Sequence, residues 1–359
     1  MRKGEGEKVR KWKAVLSVLL GAGVFFVCLF PLRALMNYHE EHHLFRWAGY
    51  YFREQFTSLD GALEYAASFL IQFFYIGWLG ALLLALLTVG VQALLWWLMK
   101  KMRLRAAWLY PLSLVAAALL FYYSFVPQRY RTDAAFREAI AYDYLVRTHQ
   151  WEAITDKTAH DAPATDQGVW STNYALAMRG LLPDELFNYP QTGPQGLLTD
   201  DQQKEVLAYF SLSDIYLQLG LINHAERMAF NAKQYIPDNH KSGRLYRRLA
   251  ETNIINGNYV IAAKYLNYLR STLFYGQWAR NYLSHLGDED YINSRYRLLR
   301  EMRLKQYDQL IPPRKYELMA ELVRQNPSNK LAMDYLRAYQ QIYRNQALSK
   351  HPSPNTPRP

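Results

Sequence analysis

Residues 206–239 read VLAYFSLSDIYLQLGLINHAERMAFNAKQYIPDN, and their spacing sets the architecture expected for the C-terminal two thirds of the chain. Tyr209, Leu212 and Tyr216 fall at i, i+3 and i+7, which gathers large side chains on one helical face, with the small Ser213 beside them. Gly220 follows, a residue that accepts the left-handed backbone of a tight turn. Ala225, Ala229 and Ala232 recur at i, i+4 and i+7, so a second helix can approach the first closely. Pro237 cannot continue that helix. The expected unit is a helical hairpin.

A second unit runs from Gly243 to about Gly276, with Tyr246, Leu249, Ala250, Gly257, Tyr259 and Ala262 in corresponding places. It departs from the first in carrying Asn253 for the second aromatic and no terminal proline. The spacing resembles the tetratricopeptide repeat, a 34-residue helical hairpin whose last position is proline. A lone hairpin cannot bury its own apolar face, so three or more must stack. Weaker helical pairs at 132–160 (Trp151), 170–188, 276–305 (Trp278) and 314–346 extend the pattern, giving roughly four or five pairs in one right-handed α-solenoid. The Pro- and Gly-rich connector Asn188 to Asp200 is the longest ordered loop expected.

The residues before this domain have another character. Ala14 to Leu32, Tyr65 to Met99 and Ala106 to Gln128 contain no charged residue. A bilayer core takes about 20 apolar residues of helix. The first and third runs each span once. The second is too long for one upright span and too short for two, and is read as one tilted or kinked helix with flexible points at Gly77 and Gly80. Gly77, Gly80 and Gly90 also offer a close-packing face to partner spans. The exit of the first span, Phe30-Pro31-Leu32-Arg33, lacks a small-x-small cleavage pattern, so the span is expected to stay as an anchor.

Basic residues orient the spans. Residues 1–13 hold six Lys and Arg and residues 100–105 hold four, whereas 33–65 hold three against five acids. Three spans place the two basic segments in the cytoplasm and the C-terminal domain outside. Much of the formal net charge of +11 is therefore a topology signal rather than a call for an acidic partner. The single cysteine, Cys28, excludes a disulfide framework and multi-cysteine metal sites in these 359 residues. Phosphate-binding glycine loops and nucleophile elbows are missing as well.

Three constellations carry candidate chemistry. His39-Glu40-Glu41-His42-His43 contains His-Glu-x-x-His, in which His39 and His43 would bind zinc and Glu40 would activate water. The competing reading is a polar segment at the outer membrane surface. Arg244, Arg247 and Arg248 with Glu251 form a basic cluster. In the tetratricopeptide family, positions 2, 5 and 9 of the first helix tend to line the concave groove. The resemblance implies Arg244, Arg247 and Glu251 from one unit, with Phe210 and Asp214 from the other. Such a groove could fork onto a peptide carboxylate; the plain alternative is a helix face of internal Arg–acid pairs. Arg295, Arg297, Arg300 and Arg303 form the third, read as a solvated face before any lipid or nucleic-acid contact.

Tyr38-His39-Glu40-Glu41 with Leu44-Phe45, Asn173-Tyr174-Ala175-Leu176-Ala177, Gln191-Thr192-Gly193-Pro194 and Asn326-Pro327-Ser328-Asn329 with Tyr335-Leu336 are similar to stretches of uncharacterised Bacteroidota membrane proteins. That resemblance implies a Gram-negative inner membrane and a periplasmic repeat domain, and no activity.

The expected protein is all-α, three transmembrane helices followed by an extracytoplasmic tetratricopeptide-like α-solenoid. Its parts are a cytoplasmic N-terminus (1–13), a membrane region (14–126), a periplasmic helical-repeat domain (127–350) and a disordered Pro-rich tail (351–359). The spans fall at about 14–32, 70–99 and 106–126, with a periplasmic loop at 33–65 and a cytoplasmic loop at 100–105. The expected role is a scaffold for a protein or peptide partner in the periplasm or membrane, with the lipid bilayer as its other partner, no nucleic acid and no cofactor. The alternative is a membrane-bound metal-dependent hydrolase using His39, Glu40 and His43.

Overall fold

A computed structural model describes residues 2–103, 106–199, 203, 205–236, 241–305 and 314–350. Pro237, Arg105, Asp200, Asp201 and the tail 351–359 lie outside the described residues. Among those described, the chain is helical and contains no strand. It divides into two compact units, Met1–Arg137 and Glu138–Pro359.

The first unit contains α1 (Arg2–Leu29), α2 (Arg33–His42), α3 (Gly49–Gln55), α4 (Leu59–Ile71), α5 (Gly77–Lys101), α6 (Tyr110–Phe125) and α7 (Gln128–Thr132), and α8 (Ala134–Arg147) begins in it. Three helical stretches are long and apolar enough to cross a membrane: Arg10–Leu29, Gly77–Lys101 and Ala107–Phe125.

The middle charge-free run is not one helix. α4 ends in a 3-10 turn at Gln72–Tyr75, Ile76 is extended (φ −100°, ψ 107°), and α5 starts afresh at Gly77. The break has a physical cause in α2, which packs against both the turn and α5. Arg33 donates from Nη1 to the Phe74 carbonyl at 3.0 Å, supplying a partner at the interruption. A Cβ at Gly80 would come within 2.6 Å of Met36 and 2.9 Å of the Phe74 backbone, so only glycine admits this approach. Gly77 likewise faces the Arg33 guanidinium. Of the three glycines expected to receive partner spans, these two are filled from within the chain, and Gly90 has open space around it.

α1 runs antiparallel to α5, with α6 against both. Small residues let the backbones close up: Gly21 faces Val89, and Ala81, Ala85 and Ala117 are buried. Gln92 ties the three spans together. Its Oε1 accepts from Ser17 at 2.9 Å, and its Nε2 donates to Ser113 at 2.9 Å. At the same end of the bundle Lys13 sits over Trp96 (4.4 Å) and Lys101 over Trp97 (4.2 Å).

The second unit continues α8 and adds α9 (Trp151–His160), α10 (Asp166–Met178), α11 (Leu182–Glu185), α12 (Val206–Leu219), α13 (Ile222–Tyr235), α14 (Gly243–Asn256), α15 (Tyr259–Leu269), α16 (Gly276–Ser284), α17 (Glu289–Met302), α18 (Lys315–Gln325) and α19 (Lys330–Lys350). Each helix from α12 to α16 packs on the next. Gly220 (φ +90°) and Gly257 (φ +78°) end α12 and α14 in left-handed caps. The amides of Leu221 and Asn258 close both turns onto the carbonyls of Tyr216 and Asn253. Tyr209, Leu212 and Tyr216 are buried on α12 against the buried alanines 225, 229 and 232 of α13.

Two features go beyond a row of nearest neighbours. The connector after α11 is pinned by α10, where buried Asn173 donates to Gln191 and to the Gly196 carbonyl, and Trp170 donates to the Gln195 carbonyl at 2.7 Å. The C-terminal helices then return: α17 packs on α12 and α14, and α19 on α10, α11 and α12. Leu304 donates its amide to the Gly220 carbonyl at 3.1 Å, and Asn329 donates to Leu219 at 2.8 Å.

Candidate functional site

The five residues expected to line a groove lie on two neighbouring helices. α12 carries Phe210 and Asp214 one turn apart, and α14 carries Arg244, Arg247, Arg248 and Glu251 along one face. Arg248 donates to Asp214 and, at 3.2 Å, to Glu251. Arg247 donates from Nε to Glu251 at 3.0 Å. Arg244 pairs with Asp214 and lies 4.8 Å over the Phe210 ring.

Asp143 of α8 completes the cluster. It is 2% exposed, takes both Arg244 contacts at 2.8 and 3.1 Å, and accepts from Ser211 at 3.1 Å. Gln167 donates in turn to Ser211. Spacing within a helix could not reveal Asp143, because it belongs to a distant hairpin. The result is a chain in which three arginines meet three carboxylates. Arg244, expected to meet a ligand's carboxylate, meets two carboxylates of its own chain and is 9% exposed. Arg247 differs: its side chain is 42% exposed and stands 5.0 Å over the Trp278 ring. The half-open edge of the cluster is therefore Arg247 of α14 with Trp278 of α16.

The electrostatics match a permanently charged network. Burial alone would raise the Asp214 carboxyl, but the charges and hydrogen bonds of Arg244 and Arg248 hold it below the ordinary carboxylate value. Tyr296 is raised by burial and then by the charge of Glu251. Tyr174 is raised by burial and then by Asp214. Both phenols stay neutral.

The His39–His43 segment lies in the first unit. α2 ends at His42, and His43 is extended (φ −131°, ψ 128°), so His39 and His43 do not share one helical face. His39 donates from Nε2 to the Phe125 carbonyl at 2.9 Å, and His42 engages the Tyr38 carbonyl through Nδ1 at 2.7 Å. Glu40, Glu41 and His42 are buried rather than spread on a wet surface. Burial, partly opposed by the Phe125 carbonyl and aided by His42, lowers the His39 pKa to about 4. Among the described residues no cluster of three or more His, Cys, Asp or Glu is placed to hold a metal.

The arginine run on α17 divides. Arg300 and Arg303 donate to the Ile254 and Ile255 carbonyls at 3.1 and 2.7 Å, capping the C-terminal end of α14 where cations suit the helix dipole. Arg297 is exposed beside Glu301, and Arg295 lies 4.3 Å over Tyr291. Two of the four arginines, Arg300 and Arg303, are thus structural.

No curated protein and no solved structure matches this chain. Residues 8–133 and 124–345 match a single family description, which covers the membrane-helix unit and the helical unit alike. With nearly all of its length so matched, the chain belongs to the family of unknown function DUF6057.

Proposed function

We propose that this protein is a three-span inner-membrane protein that presents a tetratricopeptide-like α-solenoid in the periplasm as a scaffold for a protein or peptide partner. The observation that carries this reading is the recurrence of α12/α13 and α14/α15 as two hairpins with left-handed glycines at equivalent turns, each helix resting on the next. Such stacking builds extended surfaces suited to peptides. The sidedness rests on Lys13 and Lys101, which meet Trp96 and Trp97 at one end of the bundle, as two cytoplasmic basic segments would.

The binding edge is Arg247 with Trp278, because the Arg247 side chain is 42% exposed whereas those of Arg244 and Arg248 are 10% and 15% exposed. The test is crosslinking in intact membranes followed by capture of the full-length protein. Arg247→Glu and Trp278→Ala should each lose the crosslinked partner while keeping the protein in the membrane. An unchanged partner list in both would remove this edge from the site. Reporter fusions after Lys101 and Asn355 test the topology, and a cytoplasmic signal at Asn355 would overturn it.

A further inference from the structure

The membrane unit contains a cavity of about 530 Å³ walled by α4, α5 and α6, within the size range of small-molecule sites. We propose that it is a binding groove for one acyl chain of a membrane phospholipid, entered from the leaflet on the α2 side.

The walls name the chemistry. Leu87 and Val91 of α5, Leu120 and Phe121 of α6, and Ala67 of α4 line the cavity, with no charged residue among its lining. Thr88 turns its hydroxyl back onto the Leu84 carbonyl at 2.8 Å and leaves its methyl as the wall. Two of the three walls are helices apolar enough to cross a membrane, and Leu87, Val91 and Leu120 are exposed on them. In a bilayer, the medium that meets those side chains is hydrocarbon, and the groove is continuous with that surface.

Dimensions decide between a lipid chain and a partner's helix. On α6 the lining runs from Ala117 to Phe125. At 1.5 Å per residue that is about 12 Å, well short of the roughly 30 Å core that a spanning helix must cross. A helix about 10 Å across would leave most of its length outside such a groove, whereas part of one acyl chain can lie along it. The lining occupies the later half of α6 and the middle of α5, so it runs from the centre of the spans toward the α2 side. His39 and Ser124 close the end nearest α2. The His39 ring is fixed by its donation to the Phe125 carbonyl at 2.9 Å. With Ser124 it makes a polar stop, the place where a chain gives way to its ester and headgroup.

The experiment uses full-length protein in nanodiscs containing phosphatidylethanolamine with a photoactivatable diazirine in one acyl chain. Adducts are mapped by mass spectrometry. Labelling should concentrate severalfold on Leu87, Val91 and Phe121 over Leu94 and Leu119, which face outward beyond the groove. Ala67→Trp and Ser124→Trp, both at exposed positions, should each cut groove labelling severalfold and leave outward labelling unchanged. Leu119→Trp should change neither. Equal labelling of groove and outer face, meaning annular lipid only, would overturn the proposal. So would full groove labelling in both filling variants, or a retained lipid that is not a phospholipid.

Discussion

Arg244 reaches back 101 residues to Asp143, donating from one nitrogen to both carboxylate oxygens at 2.8 and 3.1 Å. The pair is buried, so each charge depends on the other. Removing one partner from a buried pair costs about 3–5 kcal/mol, and an exposed pair contributes only about 0–1 kcal/mol. Arg244→Met should therefore lower the thermal midpoint of the full-length protein sharply, and Arg247→Met should barely move it. Equal shifts in circular dichroism melts would show that the cluster is not organised around Asp143.

The two turn glycines should differ on substitution. Alanine at Gly257 meets open space and bears only the left-handed backbone cost, about 1–2 kcal/mol. Alanine at Gly220 bears the same cost and also places its Cβ 2.6 Å from the Met302 carbonyl oxygen. Melting should rank wild type above Gly257→Ala above Gly220→Ala. A reversed order would mean that α17 does not return to this turn.

Gln92→Leu removes the hydrogen bonds that join Ser17 of α1 to Ser113 of α6 through α5. Such bonds within membranes contribute about 0.6 kcal/mol on average and up to about 1.7. The expected result is a modest loss of resistance to denaturing detergent. Gain of resistance would contradict the assigned contacts.

Acid should weaken the second unit through His224. Burial, with the charges of Lys315 and Arg227, lowers its pKa from 6.5 to about 3. An unfolded histidine binds a proton below 6.5 that the folded one refuses until about 3. Stability is thus complete above 6.5 and falls by about 1.4 kcal/mol per pH unit beneath it. His224→Gln should flatten unfolding midpoints between pH 6 and pH 4 relative to wild type. A parallel pH dependence would assign the acid sensitivity elsewhere.

These cases show which parts of the molecule could be read along the chain. The α12/α13 hairpin was legible because Tyr209 to Tyr216, Gly220 and Ala225 to Ala232 interact within a few turns of helix. The three spans were legible because charge is absent from them. The break at Ile76 was hidden: its cause is Met36 and Arg33 on another helix, and Gly77 and Gly80 alone permit a bend without requiring one. Asp143 was hidden for the same reason, since an acid on a distant helix has no local signature. Gln92 is one polar residue in an uncharged run, and only packing gives it partners in Ser17 and Ser113. The His39–His43 motif was legible as letters, but the end of α2 at His42 separates its two histidines.

The clasp of α17 and α19 on α12 also governs how the chain can be made and changed. A linear array can settle hairpin by hairpin as it emerges, and it can gain or lose a unit at its end. Here the ends of α12 and α14 wait for residues some fifty to a hundred positions later, such as Arg300 and Asn329. Contacts this remote in sequence slow folding, and apolar surface stays uncovered until the later helices have been made. The number of hairpins is consequently locked, and a truncation after α16 would undo helices far upstream of the cut.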